Sequence, residues 1–265
     1  MIKLIATDMD GTLLDDNKQL PKDFFRLLDV LKSKGIEFVI ASGRSYVALY
    51  HIFGEHAKDM NFICDNGAYV VVKDKIVSVS IIEHSTVMDI VKECNKLECV
   101  SPVLCGMKDI YFSSSAKEQY KQEINNFYVK FTAVDDLLSV QDDIFKIAIC
   151  DTKNPLYNSY PVLNRKFGDS LSVVVSGVRW QDVMNKGIDK GNALKTIQES
   201  INATKSETMA FGDFYNDVPL LNMAEYSYVM ANANDDMKQY GKYIAEPNYK
   251  NGVVKAICSR LEISL

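Results

Sequence analysis

The near-continuous apolar run over residues 2–7 constrains this chain more than any other feature. It has the length of a strand and lacks the polar alternation of a sheet with one wet face, so it must be covered on both sides. Residues 21–34 follow with Phe24, Phe25, Leu27, Leu28 and Leu31 at helical spacing. Pro21 suits the first turn of that helix and Gly35 its C-terminal cap. Residues 36–41 are a second buried run. Strand, helix and strand in so short a length make a βαβ unit, and therefore a parallel sheet. Residues 62–64 read as a third strand and Asn66-Gly67 as a turn. Residues 68–72 and 76–82, joined through Lys73-Asp74-Lys75, read as a hairpin.

From Glu83 to Met184 the rhythm changes. Helical patterns at 86–97, 116–127 and 155–167 alternate with strand patterns at 110–113, 145–150 and 171–175. After this stretch the first rhythm returns, with a helix at 190–200, a strand at 208–211 and a helix from Pro219. The expected class is therefore α/β: a Rossmann-like parallel-sheet core from residues 1–82 and 185–265, interrupted by an α+β insertion at 83–184. No repeat or low-complexity tract is evident.

Composition narrows the function. A net charge of −5 argues against a nucleic-acid partner, which calls for a basic face. No apolar stretch approaches the roughly 20 residues that span a bilayer. The six cysteines form no CxxC pair and the three histidines no HxH or HxxxH set, so a zinc site is not expected. With no charged-then-apolar leader ahead of the first strand, the thiols are expected to be reduced and the chain cytoplasmic. Oligomeric state is not legible.

The chemistry is carried by strand ends. In open α/β sheets the carboxyl ends of strands line the ligand crevice. Residues 2–7 end on Asp8-Met9-Asp10-Gly11, and residues 208–211 end on Gly212-Asp213, with Asn216 and Asp217 one turn on. Asp8 and Asp10 alone would suit an Asx turn equally well. A calcium loop counted from Asp8 would need Gly at Leu13 and Glu at Gln19, and fails. Four carboxylates converging on one crevice require a cation, and oxygen ligands without His or Cys indicate Mg²⁺. Residues 36–41 end on Ser42-Gly43, where backbone N–H groups can approach an anion. Taken singly, Ser42 would also serve as a helix cap and Lys190 as a solvated lysine.

"DMDGT", "ASGR", "GIDKGNAL" and "GDFYND", in this order, resemble the four motifs of the haloacid dehalogenase superfamily. "ICDNGAYV", "YVMANANDDMKQYGKYI" and "NYKNGVVKAI" are similar to stretches of its Cof-type phosphatases, and the insertion resembles the C2 cap of type IIB members. The resemblance implies Asp8 as nucleophile and Asp10 as general acid and base. It implies Mg²⁺ held by Asp8, the Asp10 carbonyl and Asp213, with Thr12 and Asp217 behind them. Ser42, Gly43, Lys190 and Asn216 would bind the phosphoryl group, with Lys190 also pairing with the Asp8 carboxylate and Asp217 orienting Lys190 or a metal water. Asp189, beside Lys190, departs from the subfamily's usual small polar residue; it would pair with the lysine or face solvent.

The implied chemistry explains the paired acids. A phosphomonoester dianion repels a carboxylate, and Mg²⁺ with Lys190 neutralises both, so Asp8 can attack in line. Asp10 then protonates the leaving alkoxide and deprotonates the water that splits the aspartyl phosphate. The expectation is a Mg²⁺-dependent phosphatase of a small phosphorylated metabolite, foremost a sugar phosphate. Its rivals are a phosphotransferase or mutase on the same site, and a phosphatase of flavin mononucleotide or pyridoxal phosphate.

Overall fold

The computed structural model describes residues 1–128 and 130–265. They divide into two compact units, Met1–Ser78 with Asp189–Leu265, and Val79–Ile188. The sequence expectation put the second unit at 83–184. The first joint falls at the last residue of the strand Lys75–Val79 and the second after the strand Trp180–Asn185: the Asn185 amide donates to Ser80 Oγ and Ile81 O, holding both connecting segments within the inserted unit.

The first unit opens with β1 (Leu4–Thr7), α1 (Phe24–Ser33), β2 (Glu37–Ala41), α2 (Tyr46–Phe53), β3 (Asn61–Cys64), β4 (Tyr69–Val72) and β5 (Lys75–Val79). The second contains α3 (His84–Cys94), β6 (Val100–Gly106), β7 (Ile110–Ser113), α4 (Glu118–Phe127), β8 (Thr132–Val134), β9 (Ile144–Asp151), α5 (Ser159–Phe167), β10 (Leu171–Val175) and β11 (Trp180–Asn185). The first unit then resumes with α6 (Lys190–Ser200), β12 (Thr208–Gly212), α7 (Val218–Asn222), β13 (Tyr226–Met230), β14 (Tyr243–Ala245) and α8 (Gly252–Leu261).

The first unit's sheet runs β14-β13-β12-β1-β2-β3-β4-β5, parallel from β14 to β3, with β4 antiparallel to β3. Both faces are covered, as the apolar run required. Ile5, Phe38 and Ile40 pack with Phe24, Leu27, Leu31 and Phe53 on one side. Leu4, Ala6, Val39 and Ala41 pack with Leu194, Ile197 and Leu220 on the other. Each large side chain buried this way contributes about 1.5–3 kcal/mol, so the strand ends are fixed by the best-packed part of the unit.

The second unit's sheet runs β10-β11-β9-β6-β7-β8, antiparallel except where β7 meets β8. Leu104, Ile147, Ile149 and Val183 pack there with Val87, Ile90, Val91 and Leu163 from α3 and α5. Strand β6 escapes a reading by pattern because Pro102 lies inside it. The proline is tolerated because β7 pairs only with Val103–Cys105, leaving the β7 side of residue 102 outside the ladder. Among the described residues no helix is long and apolar enough to cross a membrane, and no two cysteines form a disulfide.

Candidate active site

Three neighbouring parallel strands bring the motifs together. Thr7 of β1 lies opposite Phe211 of β12 and Ile40 of β2. Asp8, Asp213 and Ser42 therefore leave the sheet at the same edge. After Asp8 the chain turns at once, with Gly11 at φ 82°. A β-carbon there would drive into the Asp213 carboxylate, so glycine meets both the backbone conformation and the close approach. Thr12 Oγ1 donates to Asp213 Oδ1 at 2.8 Å, locking the turn to the neighbouring strand end.

The fourth contribution comes from the start of α6. Asp189 caps this helix, accepting from the Asn192 N–H at 2.7 Å. The acid that departs from the subfamily pattern thus satisfies a helix end rather than Lys190. Lys190, 1% exposed, is no solvated lysine. Its Nζ donates to Asp8 Oδ1 and Asp217 Oδ1, each at 2.6 Å. Asp217 Oδ2 accepts the backbone N–H groups of Asp213 and Phe214 at 3.0 and 3.2 Å. Both oxygens of Asp217 are thereby taken by protein donors.

Electrostatics follow from this packing. Burial, then repulsion from Asp217, pushes the Asp8 carboxyl up, with Lys190 opposing. Burial works against the Lys190 ammonium, but Asp217 and Asp8 outweigh it and hold the charge on. Asp213 is pushed up to about 6, first by burial and then by Asp217, against the Thr12 hydrogen bond.

Oxygens of Asp8, Asp213 and Asp217 lie within 4.8 Å of one another. One ammonium faces three carboxylates, so the set carries excess negative charge at a buried point. The donors are all oxygen, which fits a hard divalent cation such as Mg²⁺ and not zinc. Asp8 Oδ2 takes no protein hydrogen bond among the described residues, and with Asp213 it is the natural ligand; Asp217, with one donor on Oδ1 and two on Oδ2, is the least available of the three.

The remaining motif residues form a second group. The Asp10 carboxylate turns to Arg44, which grips it with Nε and Nη2 at 2.8 and 2.7 Å, and to Lys18 Nζ at 2.8 Å. Burial raises this carboxyl, but the Arg44 and Lys18 bonds outweigh it and hold it at about 2. Ser42, 2% exposed, is not the cap of α2: Ser45 accepts from the Ala48 N–H, while Ser42 Oγ accepts from the Arg44 N–H at 3.2 Å. A β-carbon on Gly43 would lie 3.3 Å from the Asn66 amide. Asn216 Nδ2 donates to Asn66 Oδ1 at 3.1 Å. The structure thus joins Asp8, Thr12, Lys190, Asp213 and Asp217 directly, and Asn216 to Gly43 only by way of Asn66. Sequence reading gave no site role to Arg44, Lys18 or Asn66; Arg44 carried a signal inside the "ASGR" motif and Asn66 inside "ICDNGAYV", while Lys18 carried none.

The family model of haloacid dehalogenase-like hydrolases matches residues 5–257. The chain belongs to this family and is one of its phosphatases. It is 30% identical over 257 residues to the 5-amino-6-(5-phospho-D-ribitylamino)uracil phosphatase of Escherichia coli K12, covering 97% of this chain and 95% of that protein. A Streptococcus mutans crystal structure superposes with a TM-score of 0.87 at 28% identity, over 99% of this chain and 100% of that one. A sugar phosphatase of subclass IIB superposes at 0.81 over 98% and 100%; at 24% identity that likeness speaks for the fold.

Proposed function

We propose that the chain is a Mg²⁺-dependent phosphomonoesterase that works through an aspartyl phosphate on Asp8. One observation carries this reading: a buried carboxylate held by Lys190 at 2.6 Å, with oxygens of Asp8, Asp213 and Asp217 within 4.8 Å of one another. Asp8 attacks phosphorus in line, and the ester oxygen departs. Lys190 balances charge on Asp8 and on the phosphoryl group as the two approach. The Ser42 hydroxyl and Gly43 N–H receive the phosphoryl oxygens, and Asn216 adds a donor at the rim. Asp10, once it has let go of Arg44 and Lys18 and taken up a proton from solvent, gives it to the leaving oxygen, then takes one from the water that opens the acyl phosphate. Asp8 and Asp213, with the Asp10 carbonyl, would hold Mg²⁺, which neutralises the dianion and fixes the attacking carboxylate.

The substrate we infer is a small metabolite with a phosphate on a primary carbon of a polyhydroxylated chain. The Escherichia coli relative supports this, being named for a 5-phosphoribityl compound. Sugar phosphates present the same end, and so does flavin mononucleotide. Purified enzyme assayed for phosphate release over sugar phosphates, ribityl phosphates, pyridoxal phosphate and nucleotides tests the reading. Release should stop on chelation, return with Mg²⁺, and be fastest on the polyhydroxylated primary phosphates. No release from any ester, or transfer to added alcohols outpacing release, would overturn it.

A further inference from the structure

The Lys238 ammonium is wrapped in backbone. It donates to the carbonyls of Met230, Ala231 and Ala233 at 2.7, 2.7 and 2.9 Å, committing its three donors to the turn that leaves β13. Asn232 stands inside that turn. Its Nδ2 donates to Gly11 O at 2.8 Å, and its Oδ1 accepts the Asn248 N–H at 3.0 Å. Asn248, itself buried, donates from Nδ2 to Leu14 O at 2.9 Å and Asp16 Oδ1 at 3.1 Å. Three points of the turn after Asp8 are thus held by one distant part of the chain. None of these three residues has a role in the reaction above.

We propose that Lys238, Asn232 and Asn248 form a brace whose purpose is to aim Asp10; they are positioning residues for the reaction, and this rests on the phosphatase reading. The need comes from Gly11. Gly11, at φ 82°, has more backbone states open to it than any residue with a β-carbon, and its carbonyl left to itself would sample them. Asn232 selects one by donating to that carbonyl. Asp8 and Asp213 keep their anchors in Lys190 and Thr12, whereas Asp10, once it lets go of Arg44 and Lys18 to act as an acid, takes its direction from the backbone of the turn.

Asn232→Asp tests the brace, because it keeps the acceptor for Asn248 and sets an oxygen against the Gly11 carbonyl. Turnover should fall by about 10²-fold on an alkyl phosphate, the scale of a small misplacement of a catalytic group. The loss on p-nitrophenyl phosphate should be much smaller, since its leaving group needs little protonation, and KM should hold for both. Lys238→Met should give the same split. Hydrogen exchange at the Leu14 N–H, which donates to Met9 O across the turn at 2.9 Å, should quicken in both variants. Wild-type turnover on both esters, or equal losses on both with exchange unchanged, would overturn the brace. Wild-type enzyme inert toward every ester would instead overturn the phosphatase reading, and the exchange at Leu14 would still decide the brace.

Discussion

Asp8 and Asp10 lie two positions apart in one turn, and the protein treats them oppositely. Asp8 is 7% exposed, fixed by an ammonium at the start of α6, and pushed up by burial and by Asp217. The Asp10 side chain is 41% exposed, gripped by two long cationic side chains, and held at about 2 against its partial burial. Neighbouring groups with separated proton affinities are how one site obtains two roles from one residue type. Here the direction carries the lesson. Asp8 sits among three clustered carboxylates facing one ammonium, where a further cation would offset the charge of the proposed nucleophile. Asp10 is an ion, and to serve as an acid it must first let go of Arg44 and Lys18. On the proposed roles, attack falls to the group held by a buried lysine and proton transfer to the group held by partly exposed cations.

The sharpest way to break this contrast is Asp8→Asn, which keeps shape and removes the attacking charge. Phosphate release should drop to background with the far-ultraviolet spectrum unchanged. A variant that kept more than a few per cent of wild-type turnover would remove the covalent role from Asp8 and erase the distinction from Asp10.

Asp10→Asn should cost less, about 10²–10⁴ in turnover on an alkyl phosphate, the usual weight of one general acid or base. It should cost less again on p-nitrophenyl phosphate. Equal losses on both esters would mean that Asp10 does not deliver the proton, and its half of the comparison would fall.

These contrasts were legible in the sequence to different depths. Strands β1, β2 and β12 were readable because each is a short apolar run covered on both faces, and their ends put Asp8, Ser42 and Asp213 on one edge. The pairing of Lys190 with Asp8 was readable from the motif and its burial was not, since nothing in "GIDKGNAL" tells how deep the start of α6 lies. Lys18 was invisible: a left-handed backbone at φ 62° presents it, and no spacing rule connects it to Asp10. The same holds for Lys238 and Asn248, whose partners are backbone carbonyls more than two hundred residues away in one case and a few residues away in the other. Side chain to backbone bonds leave no pattern in sequence, whereas the burial of whole strands does.

The smallest expected effect isolates the Asp10 clamp. Arg44→Gln keeps a polar side chain and removes the bidentate grip, leaving Lys18. Because Asp10 is over a third exposed, the pair is screened and should contribute no more than about 1 kcal/mol. That corresponds to a fall in Tm at neutral pH of about 2–4 °C at most. The sign with pH follows from the depressed carboxyl. Folding favours the ionised form, so the contribution is complete above the ordinary aspartate value of about 3.9 and lost as pH falls through about 2. The Tm gap between wild type and Arg44→Gln should therefore be widest at neutral pH and narrow steadily below pH ~4. A gap that widened on acidification would show that Asp10 is not held as an ion in the folded protein. The clamp that must open before Asp10 can act would then have no basis.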